Sequence, residues 1–184
     1  MISNKKKYIK RIIFIDLHSN RDEHLTGNSS FIYKCTKTKD DIEYFYICKK
    51  NAYLFFKDWF DDIGLKNIRI CTSFFKFNQK DHIIILYPEY LSAFKYLYLK
   101  SKVSTITSVI HGHFNSYSNN NLKKGIFKKL VNKIKNHLKY FYFLLFDNII
   151  CYSSHILIDS KSLISPLVHK KLILINEFLN LPQI

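Results

Sequence analysis

Seven short apolar runs, separated by segments long enough to hold helices, constrain this chain more than any other feature. They are Arg11–Leu17 (RIIFIDL), Glu43–Cys48 (EYFYIC), Asn67–Cys71 (NIRIC), His82–Tyr87 (HIIILY), Thr105–Ile110 (TITSVI), Asn148–Tyr152 (NIICY) and Lys171–Ile175 (KLILI). Most are nearly continuous in apolar residues rather than alternating, which is the pattern of strands covered on both faces. Parallel neighbours need long crossover connections, and the intervening segments supply them. The pattern predicts a mainly parallel sheet of about six or seven strands with helices on both faces. It disfavours an antiparallel sandwich and a helical bundle.

The helices are read from spacing and caps. Asn51 is placed to cap Ala52–Ile63, with Leu54, Phe55, Trp59, Phe60 and Ile63 on one face and Gly64 as the stop. A polar loop from His18 to Ser30 precedes a short helix expected near Phe31, with Asn28, Ser29 or Ser30 as its cap. Leu91–Lys100, Leu122–Phe146 and Ser154–Leu163 complete the helical segments. The serines of Tyr152-Ser153-Ser154-His155 read as a helix cap rather than as nucleophiles, and no GxSxG is present. Residues 1–184 read as a single domain.

Charge bears on partners. The 29 Lys and Arg against 14 Asp and Glu give a formal +15. Residues 93–184 hold 13 of those cations and only 3 of the acids. Nucleic acid, anionic lipid and phosphate-bearing substrates all suit such a surface. Abundant Phe, Tyr, Ile, Asn and Lys, with alanine only at Ala52 and Ala93, point to AT-rich codon bias, which weakens any inference from lysine number alone. No RRM, KH, zinc-finger or helix-turn-helix signature accompanies the charge, so specific nucleic-acid binding is not expected. Leu122–Phe146 combines an apolar stripe with Lys123, Lys124, Lys128 and Lys129, so any peripheral membrane contact is expected there. A core-packing helix with a solvated lysine face fits the same residues. The apolar run Ile12–Ile15 ends at Asp16, too short for a signal-peptide core or a membrane span. A cytoplasmic location is expected, with any membrane contact at the inner face. Cys35, Cys48, Cys71 and Cys151 are widely spaced and read as small buried residues in a reducing compartment.

In an open parallel sheet, ligands gather at the carboxyl ends of the strands. Three polar clusters follow apolar runs in this way: the loop after the first, Pro88-Glu89-Tyr90, and His111-Gly112-His113. Glycine allows close backbone approach, and two flanking imidazoles can bind hydroxyls or exchange protons near neutral pH. A turn glycine between two surface histidines is the alternative. Two histidines at i and i+2 make a poor metal set, and no metal is expected. Gly27 and Asn28 can present backbone N–H groups to an anion, although neither GxxxxGK[ST] nor GxGxxG is present.

The order of Val109-Ile110-His111-Gly112, a long helix, Phe146 to Ser154 (FDNIICYSS), a helix, and Lys171 to Glu177 (KLILINE) resembles the N-terminal, acceptor-side lobe of GT-B glycosyltransferases of the family 4-like kind. Asp147 through Ser153 matches the family's "aDxIIxxS" element, and Ile173 through Asn176 its "kixvIpN" strand loosely. The likeness runs from about residue 81 to 182. It implies a Rossmann-like α/β lobe, with His111 at the acceptor hydroxyl and Gly112, His113 and Glu89 orienting the acceptor. Gly27 and Asn28 would face the donor phosphates. The implied partners are a nucleotide-sugar donor and a glycan acceptor, with no cofactor. The family's paired glycines after the first strand are missing, Gly27 alone being near. The donor-binding lobe is expected to lie outside these 184 residues, leaving this chain inactive without it. A nucleic-acid-binding protein and a membrane-surface module without catalysis are the alternatives.

Overall fold

The computed structural model describes residues 10–18, 25–36, 42–88, 93–110, 143–163 and 166–175. Its centre is a seven-stranded sheet in the order β3-β2-β1-β4-β5-β6-β7, with every pairing parallel. The strands are β1 (Lys10–Ile15), β2 (Ile42–Ile47), β3 (Ile68–Cys71), β4 (Asp81–Ile85), β5 (Thr105–Ile110), β6 (Asn148–Cys151) and β7 (Leu172–Leu174). All seven apolar runs are strands, and the fold is the expected Rossmann-like α/β sheet.

The helices divide between the two faces. α1 (Leu25–Thr36) and α2 (Tyr53–Asp62) bring Phe31, Ile32, Phe56 and Phe60 onto Phe14, Tyr44, Tyr46 and Ile150. On the other face, α3 (Ala93–Lys102) and α4 (Ser154–Leu163) bring Tyr96, Leu99 and Ile156 onto Ile13, Ile83, Ile106 and Ile149. Crossovers of one hand deposit helices on one face while the chain moves one way along the sheet, and on the other once it reverses. The reversal falls between β1 and β4, which are hydrogen-bonded neighbours.

Several local expectations are corrected. α1 begins at Leu25, not near Phe31, so Gly27 and Asn28 lie in the helix rather than in a loop before it. Burial of Phe31 and Ile32 outweighs the poor helix propensity of the preceding Gly-Asn-Ser-Ser. Asn51 does not cap α2. It lies in a 3-10 turn (Lys50–Ala52), and the cap position, Ala52, makes no side-chain cap bond. The buried positions of α2 are Phe56 and Phe60, whereas Leu54 is 70% exposed. Gly64 does end the helix, at φ 73°. Phe143–Leu145, read as the end of a long helix, is a 3-10 turn. Residues 122–142 of that segment, with Lys123, Lys124, Lys128 and Lys129, lie outside the described residues.

Candidate functional site at the carboxyl edge of the sheet

Strand order makes the carboxyl ends of β1 and β4 the point where the chain's direction across the sheet reverses. In open parallel sheets the usual ligand position is outside the strand ends at such a reversal. The ladder runs one residue past the strands on both sides of β1: Asp16 N donates to Ile47 O at 2.9 Å, and Leu86 N donates to Ile15 O at 3.0 Å. This fixes the first residues beyond the strand ends.

Asp16 is the best-held polar group at this edge. It is 1% exposed. One carboxylate oxygen accepts the Tyr46 hydroxyl at 2.7 Å, and the other accepts the His18 backbone N–H at 3.0 Å. The second bond closes a turn of the Asx kind, which sets the direction of the chain leaving β1. Burial, then the Asp16 charge and hydrogen bond, raises the Tyr46 pKa well above its ordinary value, so Tyr46 stays a hydroxyl donor. The turn brings the His18 ring against the Tyr87 ring, with centroids 4.8 Å apart.

Aromatic side chains pack in the core layer behind this turn. Phe31 of α1 meets Phe14 and Tyr152, each with centroids 6.2 Å away. Burial raises the Tyr152 pKa first, and Tyr87 and Cys35 add to it, so Tyr87 and Tyr152 share one neighbourhood. Tyr96 of α3 donates its hydroxyl to Pro88 O at 2.9 Å, tying the chain after β4 to the opposite layer. Ser108 Oγ on β5 is buried with no hydrogen-bond partner among the described residues.

The residues singled out from sequence map onto this edge through the backbone. Gly27 and Asn28 are the third and fourth residues of α1. Helix geometry leaves the Gly27 N–H without an intrahelical acceptor, whereas the Asn28 N–H enters the helix ladder. Glu89 directly follows Pro88, and His111, Gly112 and His113 directly follow Ile110, the last residue of β5; all four lie outside the described residues. β1, β4 and β5 are consecutive in the sheet, so the three polar clusters leave it from adjacent strands. Sequence reading missed Asp16 as a site residue, treating it only as the end of an apolar run. Its signal was a carboxylate immediately after a buried strand.

Other reactive groups have different roles. Burial pushes the Cys35 thiol up to about 11 and, with Asp16 nearby, the Cys48 thiol up to about 12. Burial also raises Cys71 and Cys151, so all four stay protonated and are poor nucleophiles. Ser153 Oγ accepts the Ile156 N–H at 3.2 Å, the expected cap of α4. Among the described residues, no three His, Cys, Asp or Glu side chains are grouped so as to hold a metal.

Charge at the amino edge is structural. Asp81 is fully buried and takes two bonds from Arg11, at 2.8 and 2.6 Å, plus the Asn78 N–H at 2.7 Å. The Arg11 guanidinium also lies over the Phe45 and Phe75 rings. Asp147, part of the family-like motif, binds Lys100 Nζ and the Ile106 N–H. It therefore joins β5, α3 and the entry to β6 rather than lying at the carboxyl edge. No protein-family model matches the chain, and neither a curated protein nor a solved structure shows significant similarity to it.

Proposed function

We propose that the chain is the acceptor-side lobe of a glycosyltransferase that passes a sugar from a nucleotide-sugar to a glycan in surface-polysaccharide synthesis. The observation that carries this is the adjacency of β1, β4 and β5, whose carboxyl ends lead directly into the Asp16–His18 turn, Glu89 and His111. Groups from three adjacent strand ends can converge on one saccharide, as a bimolecular transfer between two bound sugars requires.

In this reading, His111 accepts the proton of the attacking acceptor hydroxyl, an imidazole being matched to that task near neutral pH. Gly112 lets the saccharide approach the backbone, and His113 and Glu89 orient its remaining hydroxyls. The first turn of α1 faces the donor phosphates with the Gly27 backbone N–H and the positive end of the helix dipole, and Asn28 follows it as the next residue of that turn. Asp16 is a positioning residue: through the His18 N–H and Tyr46 it holds the turn that carries the His18 ring. No metal enters the reaction, and specific nucleic-acid binding is not part of the function.

Ligand-observed NMR with a panel of oligosaccharides tests the proposal. Saturable binding to some members is expected, weakened about tenfold or more by His111→Ala. With the donor-binding lobe supplied, the same substitution is expected to lower turnover far more than it weakens nucleotide-sugar binding. Absence of saturable saccharide binding by the folded chain, or binding that ignores His111, overturns it.

A further inference from the structure

α2 and α3 have the same length, 10 residues, and lie on opposite faces of one sheet. Codon bias acts on both alike, so their solvent surfaces can be compared directly. The exposed residues of α2 are Leu54, Lys57, Asp58, Asp61 and Asp62: one apolar side chain among three acids and a lysine. Those of α3 are Phe94, Lys95, Leu97, Tyr98, Ser101 and Lys102: three large apolar or aromatic side chains, two lysines and no acid. Phe94 is 85% exposed, Leu97 53% and Tyr98 51%. Positions 94, 97 and 98 are neighbours on one helical face, opposite the core-facing Tyr96 and Leu99. α3 is therefore apolar on two sides, of which, among the described residues, one packs on the core and the other is exposed.

The surroundings continue the contrast. Leu144, Ile158 and Leu167 are also exposed, on elements whose Phe143, Ile156 and Val168 join the same core layer as α3. Residues 93–110 and 143–175 contain six lysines against two acids. We propose that the outer face of α3 docks on an anionic lipid bilayer. Phe94, Leu97 and the Tyr98 ring enter the boundary between headgroups and acyl chains, and Lys95 and Lys102 meet the headgroup phosphates. A mixed apolar and cationic face without acids complements a surface that is anionic outside and hydrocarbon beneath. No described helix is long and apolar enough to cross a membrane, so the contact is peripheral. A nucleic acid is less well matched, because a convex face with Leu97 between its two aromatics offers neither a groove nor a stacking platform. The inference stands independently of the saccharide reading.

Flotation of the full chain with vesicles tests it, comparing phosphatidylcholine alone with phosphatidylcholine mixed with phosphatidylglycerol. Binding to the anionic mixture only is expected. Phe94→Ser with Leu97→Ser, and separately Lys95→Glu with Lys102→Glu, are each expected to reduce partitioning about tenfold or more. Leu54→Ser, an equally simple change on the opposite face, is expected to leave it unchanged. All these positions are exposed, and circular dichroism verifies that each variant is folded. The proposal is overturned if the native chain ignores anionic vesicles, if neutral vesicles bind equally well, or if the α3 variants partition like the native chain. Loss confined to a variant with Lys123, Lys124, Lys128 and Lys129 changed to Glu moves the contact to that segment and also overturns it. So does a single-stranded RNA complex, or a concentration-dependent dimer, that the α3 substitutions abolish while vesicles remain unbound.

Discussion

Asp16 and Tyr46 are buried together, thirty residues apart in sequence, and each satisfies a polar group of the other. Asp16→Ala leaves the Tyr46 hydroxyl without this acceptor and frees the His18 turn, and a loss of about 2 kcal/mol in unfolding free energy is expected. Tyr46→Phe is expected to cost a similar amount, because the buried carboxylate then loses its short hydroxyl donor. Denaturant unfolding of both single variants and the double variant measures the coupling; strict additivity would contradict a direct bond. The thiols give a second test. Cys35 and Cys48 have pKa values raised by burial, so above the ordinary value near 9.0 the unfolded chain releases these protons before the folded chain does. Stability from this source is complete below about pH 9 and falls as pH rises toward the folded values of about 11 and 12. Cys48→Ala is expected to flatten that alkaline decline, read as unfolding midpoint against pH; an unchanged slope would contradict the burial argument. The expectation of buried cysteines holds for Cys48 and Cys151, whereas Cys35 and Cys71 are half-buried. The partner of Asp16 was not legible, because no local pattern links it to a tyrosine on the neighbouring strand.

The elements show where sequence periodicity succeeds and where tertiary packing overrides it. β5 and α4 begin and end as their patterns indicate, since β-branched residues fill the first and Ser153 caps the second. In α2 the run YLFFKDWF has so many apolar residues that more than one face satisfies a helical period. Contact of the Phe56 and Phe60 rings with Tyr46, at 4.8 and 5.0 Å, selects the buried one. α1 begins early because its apolar half is buried, something its Gly-Asn-Ser-Ser start conceals. Gly64 was legible because a helix stop with φ 73° favours glycine. A Cβ there would meet nothing within 4 Å, so Gly64→Ala carries only the backbone penalty of the left-handed conformation. A loss of about 1 kcal/mol is expected by thermal or denaturant unfolding; no loss would show that the turn relaxes.

At the scale of the whole molecule, parallel strands and helices on both faces follow from the apolar runs and their spacing. Strand order does not, because nothing in a single strand records which neighbour it pairs with. The reversal between β1 and β4, the usual ligand position in such sheets, is therefore visible only in the fold. The two sheet edges then separate stability from binding. Asp81→Ala removes the carboxylate that holds Arg11 at the amino edge and is expected to cost about 3 kcal/mol while leaving saccharide affinity unchanged. The most direct measurement is an amide chemical-shift map of the isotope-labelled chain titrated with an acceptor oligosaccharide. Saturable shifts are expected at Asp16–His18, around Leu86–Glu89 and at Ile110–His113, with Arg11, Asp81 and Asp147 silent. Shifts centred on those amino-edge residues, or no saturable shifts across the panel, would contradict an acceptor site at the carboxyl edge.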